Sequence, residues 1–200
     1  MQDRDEDHVL TDKQRRAAIV LAEETIRCGV EHGKPMQETD EIAELFPKGE
    51  RATFVTVNIA DQLNGCIGRL QATRPIYRDI IMNAFNAAFR DHRFPPVERE
   101  HLDYLNVHIS VLNPLEPIPV EAESDLWEFV EPGKHGVLLE TDDTQGTFLP
   151  SVWEKCPDRE TFLLNLKKKA GLAPSAWPSD LDAFRYTVDE FDRKTLEGSA

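Results

Sequence analysis

Between Thr11 and Glu31 the apolar positions Ile19, Ala22, Ile26 and Val30 recur at three- and four-residue spacing, which gathers them on one face of a helix. Thr11 followed three places on by Gln14 reads as a capping-box start, and Gly33 with Pro35 as the stop. Cys28 falls near the opposite side of that helix, beside Leu21. A short second helix is expected over 40–46, closed by Pro47 and Gly49. The pattern then turns β-rich over 53–60 and 66–71. Asn64-Gly65 between the two runs suits the positive backbone angles of a tight turn, so a hairpin is predicted there. Ile76, Ile80, Ala84 and Ala88 stripe the next helix, which ends near Asp91, with Thr73 as its cap and Pro75 in its first turn.

His92-Arg93-Phe94-Pro95-Pro96 cannot continue that helix, because proline lacks an amide donor and restricts the residue before it, so a stiff extended loop is expected. A short helix near 98–104 precedes a strand over 106–112, where Val107, Ile109 and Val111 alternate with His108, Ser110 and Leu112. Pro114, Pro117 and Pro119 make the following stretch irregular or an edge. Another helical segment is read over 124–131, then a second hairpin from 135–141 and 146–149 across Asp142-Asp143-Thr144-Gln145. Pro150 opens a helical turn with Val152 and Trp153. Asp158 caps a helix striped by Phe162, Leu163, Leu166 and Ala170, and Gly171 ends it. Phe184, Tyr186 and Val188 alternate in one last strand reaching Phe191.

Strands and helices mix without strict alternation, and two connections are hairpins. The expected class is α+β: a single compact domain with a mainly antiparallel sheet built on the two hairpins, flanked by helices, with room for a smaller lobe. Residues 1–9 read as an acidic tail, 10–192 as the domain and 193–200 as a frayed end.

Charge narrows the function classes. With 37 acidic against 23 basic side chains the formal charge is -14, which repels phosphate backbones and argues against nucleic-acid binding. Lys167-Lys168-Lys169 reads as the solvated end of a helix, and Trp127, Trp153 and Trp177 as core or lobe-packing residues with acidic neighbours. No apolar run approaches the roughly 20 residues a membrane helix needs. The charged start lacks the apolar segment of a signal peptide. Cys28, Cys66 and Cys156, odd in number and widely spaced, suit free thiols, so a cytoplasmic location is expected. The six histidines form no close metal-ligand pairing, and no glycine-rich phosphate loop is present, so neither a metal nor a cofactor is expected.

Cys66 is the first chemical candidate. A thiol near Gly65 and Gly68 admits close approach of a ligand or backbone, and a nearby cation would favour the thiolate. His135 is the imidazole proposed as its base, and Arg93 could clamp a carboxylate or phosphate. Each has a plain structural reading beside it: a packed strand cysteine, a hydrogen-bonded histidine at a strand edge, and an arginine paired with Asp91 or Glu98.

Several blocks taken in order resemble the AMMECR domain family, whose microbial members are called AmmeMemoRadiSam system protein A. They are Leu63-Asn64-Gly65-Cys66-Ile67-Gly68, Ala88 through Pro96, Ile109-Ser110-Val111-Leu112, Gly133 through Leu139, Gly146 through Glu154, and Lys169-Ala170-Gly171-Leu172. Asn64 stands where that family usually has arginine, and Asn cannot reproduce a bidentate guanidinium. Arg69 could compensate if its side chain points the same way. The resemblance implies an intracellular accessory or binding component associated with Memo-like and radical-SAM proteins, and no established reaction. The expected site holds a small ligand or partner segment in a groove floored by Cys66 and bordered by Arg93 and His135, with Asn64, Gly65, Gly68 and Arg69 as further ligand-binding candidates. The alternative is a thiol-dependent enzyme with Cys66 as nucleophile and His135 as base.

Overall fold

A computed structural model describes residues 9–198; most of the expected acidic tail, and the last two residues, lie outside that range. Thr11 and Gln14 cap each other as the pattern predicts, and α1 runs from Asp12–His32 until Gly33 adopts the left-handed conformation at φ 68°. A one-turn α2 spans Asp40–Glu44. The first hairpin follows as β1 (Thr53–Ile59) and β2 (Gln62–Gly68). Helix α3 covers Ile76–Phe89, a 3₁₀ turn occupies Arg99–Tyr104, and β3 spans Leu105–Leu112.

The hairpin is where the pattern predicts it, but its turn is not at Asn64-Gly65. Ala60 and Asp61 carry the positive φ angles, 48° and 65°, and make the tight connection themselves. Asn64 and Gly65 lie inside β2, where pairing slips: Val57 faces Gly65 while Asn58 faces Leu63. Asn64 is the extra residue of a β-bulge. Gly65 is required for packing, since a Cβ there would come within 2.0 Å of the Ala87 carbonyl oxygen on α3. The expected Thr73 cap is also absent. Pro75 is the N-cap of α3 with no side-chain bond, and the Thr73 hydroxyl instead accepts from Arg69 Nη1 at 2.7 Å.

After Leu112 the chain builds a second unit over 113–188. It contains β4 (Glu116–Ile118), a 3₁₀ turn at Glu123–Asp125, α4 (Leu126–Phe129), β5 (Gly136–Glu140) and β6 (Gln145–Phe148). A 3₁₀ turn at Pro150–Glu154, α5 (Arg159–Lys169, capped by Asp158) and β7 (Asp182–Tyr186) complete it. The chain then returns to the first unit through β8 (Val188–Asp192) and α6 (Arg193–Glu197). The alternation read as one final strand is thus two strands, divided at Thr187 and assigned to different sheets. Residues 193–197, expected to fray, form a helical turn because the Asp192 carboxylate accepts the Thr195 amide at 2.7 Å.

The class is α+β. Its strands form two four-stranded sheets, ordered β2-β1-β3-β8 and β4-β7-β5-β6, and each predicted hairpin seeds one of them. Antiparallel pairing joins β1 to β2 and β3, and β7 to β4 and β5. In the first unit Val55, Val57, Val107 and Ile109 point from one sheet face into a core shared with Ile19, Ala22, Ile26, Ile80 and Ala84 of α1 and α3. In the second, Trp153 stacks on Phe162 at 3.7 Å between centroids, with Phe148 edge-on at 5.3 Å. Leu139, Leu166 and Ala183 close that core. Burial of these apolar side chains, at about 25 cal/mol per Å², is the main drive for each unit.

Candidate functional site

Strand β2 is an edge strand, and its outward side is closed by the loop after α3. The Asp91 carboxylate is buried; its Oδ2 accepts the Cys66 amide N–H at 3.0 Å. The same carboxylate takes Arg93 Nε at 2.8 Å on Oδ1 and Arg93 Nη2 at 2.6 Å on Oδ2. Arg93 Nη2 also donates to the Cys66 carbonyl at 3.1 Å. Asp91 and Arg93 together therefore satisfy both backbone groups of Cys66, as a neighbouring strand would, and protect that edge position from pairing with another chain. Further along, Asn64 Nδ2 donates to the Pro95 carbonyl at 3.1 Å, so the bulged residue ties down the proline end of the loop. The Arg93 guanidinium, bonded to Asp91, holds that carboxyl well below the usual carboxylate range; the amides of Cys66 and Arg93 add to this. Asp91 in turn raises the pKa of Arg93.

The Cys66 side chain lies on the sheet face turned away from α1 and α3. Strand register places Thr56 beside it and His108 beside Thr56, in a row across β2, β1 and β3. Residues directly opposite on adjacent strands project to the same face. The Thr56 hydroxyl donates to Cys66 Sγ at 3.3 Å. Two residues along, Phe54 faces Gly68, where a Cβ would come within 2.2 Å of the Phe54 ring. Gly68 thus leaves the room that ring occupies beside the row. On the other side Ser110 donates to Glu190 at 3.1 Å. The face combines a thiol, hydroxyls, an imidazole, a carboxylate and one aromatic ring.

Of the residues read from the sequence, Cys66, Asn64, Gly65, Gly68 and Arg93 come together here. Arg69 turns elsewhere, toward the fully buried Asp79, with its Nε 3.5 Å from Oδ1, and so does not occupy the place of the missing arginine. Arg74 lies 3.4 Å from the same oxygen, while Thr53 and Asn83 bond Oδ2, so Arg69 belongs to a structural cluster anchoring α3 to β1. Burial raises the Asp79 pKa despite those partners. His135 belongs to the second unit, where its Nδ1 accepts the Glu131 amide at 3.0 Å and its carbonyl accepts from Trp153 Nε1 at 2.9 Å. Burial, then the nearby Arg185 and Lys134 charges, push its pKa below the ordinary histidine value. Thr56 and His108 are residues the sequence reading missed as site members. The signal was available, since both fall on the solvent-side parity of predicted strands, but it becomes specific only once the register is known.

Among the described residues no three His, Cys, Asp or Glu side chains gather as a metal site, and no helix is long and apolar enough to cross a membrane. The AMMECR1 family model matches residues 19–191. A protein of Methanosarcina mazei is 34% identical over 193 residues, covering 95% of this chain and 96% of its own length. One from Thermotoga maritima is 34% identical over 164 residues, with 81% and 89% covered. The crystal structure of an uncharacterized protein from Pyrococcus horikoshii superposes with a TM-score of 0.82 at 29% identity, covering 92% of this chain and 94% of that one. With the match extending from within α1 into β8 and taking in the Cys66 hairpin, the chain belongs to the AMMECR1 family.

Proposed function

We propose that the protein is a binding component whose ligand, a small molecule or a partner's segment, lies on the sheet face carrying Cys66, Thr56 and His108. The observation that supports this reading is the fixed state of Cys66. Its amide and carbonyl are held by Asp91 and Arg93, and its sulfur accepts from Thr56. A floor locked on both sides is pre-organised to hold a ligand, which lowers the ordering cost of binding. The cation bonded to the Cys66 carbonyl, Arg93, is paired with the Asp91 carboxylate. Association with Memo-like and radical-SAM proteins is the partner assignment that fits the family resemblance.

Thiol labelling across neutral pH tests the reading. Cys66 should react no faster than Cys28 or Cys156, and Cys66→Ser should retain in-cell function. Rapid, selective labelling of Cys66 together with loss of function in Cys66→Ser would establish the thiol-dependent enzyme instead. Pull-downs and metabolite screens should recover a ligand or partner whose capture weakens in Thr56→Val and His108→Ala; recovery of none would remove the binding reading.

A further inference from the structure

Lys167, the first residue of a run expected to be solvated, is instead buried at 1% exposure in the second unit. Its ammonium bonds the Glu123 carboxylate, and donates to the Pro174 carbonyl at 2.5 Å. One buried cation thereby ties α5 to the 3₁₀ turn on one side and to the loop after α5 on the other. Between these elements lies an open cleft of about 340 Å³ lined by Glu123, Trp127, Arg159, Glu160, Leu163, Leu164, Lys167 and Pro174. Its size suits a small organic molecule.

The lining is ordered by helical spacing. Arg159, Leu163 and Lys167 form one ridge of α5 and Glu160 with Leu164 the adjoining one, so the ridge starts charged, passes through leucines and ends at the sealed lysine. Arg159 is placed at the charged end by stacking over the Trp127 ring, 5.3 Å from its centroid. Leu164 is 46% exposed, a large apolar side chain presented to the cleft's opening. Since Glu123 is matched by Lys167, the charges facing a ligand are those of Arg159 and Glu160, one of each sign. A simple anion meets the Glu160 carboxylate as well as the guanidinium, and a simple cation meets the reverse. A ligand with adjacent carboxylate and ammonium groups satisfies both.

We infer that this cleft binds a free α-amino acid with an apolar side chain. Arg159 takes the carboxylate, Glu160 the ammonium, and Trp127, Leu163 and Leu164 the side chain. The site is independent of the Cys66 reading, because all its residues belong to the second unit.

Calorimetric titration of the full chain, backed by tryptophan fluorescence, tests this with L-phenylalanine, 3-phenylpropionate and 2-phenylethylamine. L-phenylalanine should bind saturably at one site, and each analogue lacking one charge about tenfold more weakly. Arg159→Ala and Glu160→Gln, both at exposed positions that leave the Lys167 tie intact, should each weaken L-phenylalanine about tenfold while preserving the circular dichroism spectrum. The inference is overturned by absence of saturable binding, by equal binding of the three probes, or by undiminished binding in a folded Arg159→Ala variant.

Discussion

The Asp91 carboxylate accepts the backbone amide of Cys66 at 3.0 Å, across the outer edge of β2. Because Arg93 is held by the same carboxylate and donates to the Cys66 carbonyl, the loop after α3 acts as a short surrogate strand against the candidate site. The backbone position of the thiol therefore depends on a residue two places before the arginine.

Asp91→Ala should lower stability by about 2 to 3 kcal/mol, because it leaves the Cys66 amide without its acceptor and Arg93 without its carboxylate. The pH dependence follows from the direction of the shift. The folded-state pKa of Asp91 lies below its unfolded value, so its contribution is complete above about pH 4 and is lost as the pH falls further. Chemical denaturation at a series of pH values should show a gap between wild type and Asp91→Ala that is constant near neutrality and narrows in acid. Asn64→Ala removes a single exposed bond to Pro95 and should cost under about 1 kcal/mol, with faster hydrogen exchange in the 92–96 loop.

Gly65→Ala should be severe for a steric reason. The added Cβ meets the backbone oxygen of Ala87 at 2.0 Å, and a helix carbonyl cannot swing aside as a side chain does. Either α3 withdraws from β2 or the bulge is lost. A penalty of about 2 to 3 kcal/mol is expected, read as a lower denaturant midpoint. Gly133→Ala, where a Cβ meets nothing within 4 Å but φ is 82°, should cost only the backbone strain of about 1 kcal/mol.

His135 should titrate below the usual histidine range and hold its proton on Nε2 when neutral, since Nδ1 accepts the Glu131 amide. Protonation would break that bond. With the folded pKa below the unfolded one, the stabilisation is present above about pH 6.5 and declines as pH falls through the folded value. Nuclear magnetic resonance of the imidazole nitrogens gives both pKa and tautomer. His135→Ala should cost about 1 kcal/mol in mild alkali and reduce the slope of stability between about pH 7 and pH 5.

The elements legible in the sequence were those whose signals are local. The Thr11–Gln14 capping box, the Gly33 stop, the Asp158 cap and the strand at β3 each depend on residues within a few positions of one another, and each is found as predicted. The allocation of strands to sheets was not legible. Phe184 to Phe191 alternates as one strand, and nothing in that alternation marks Thr187 as the point where the chain changes sheets. Lys167 misled for a related reason: its burial depends on Glu123, 44 positions away in sequence, and on Pro174 in the loop beyond the helix. At the candidate site, Cys66, Asn64 and Arg93 were visible as residue types, whereas the Cys66–Thr56–His108 row required the register of three strands.

The first hairpin's turn shows how a strong local signal can be diverted. Asn-Gly is the preferred pair for a two-residue turn, yet here it is drawn into β2, where Asn64 bulges toward Pro95 and Gly65 makes room for α3. The turn falls instead to Ala60 and Asp61, two residues with a Cβ, both at positive φ. An L-residue in that region carries a steric cost that Asn bears more easily than Ala, because its side chain bonds locally. Ala60→Asn keeps the amide that donates to Tyr104 at 3.0 Å, and should stabilise the protein by about 0.5 to 1 kcal/mol. In a scan of thermal unfolding that corresponds to a rise of about 1 to 4 °C. Asp61→Gly should be nearly neutral, since relief of backbone strain is offset by unfolded-state entropy and by loss of an exposed ion pair with Lys194. A drop in melting temperature for Ala60→Asn would mean that the turn geometry is set by Tyr104 and the 3₁₀ turn rather than by the residues at its tip.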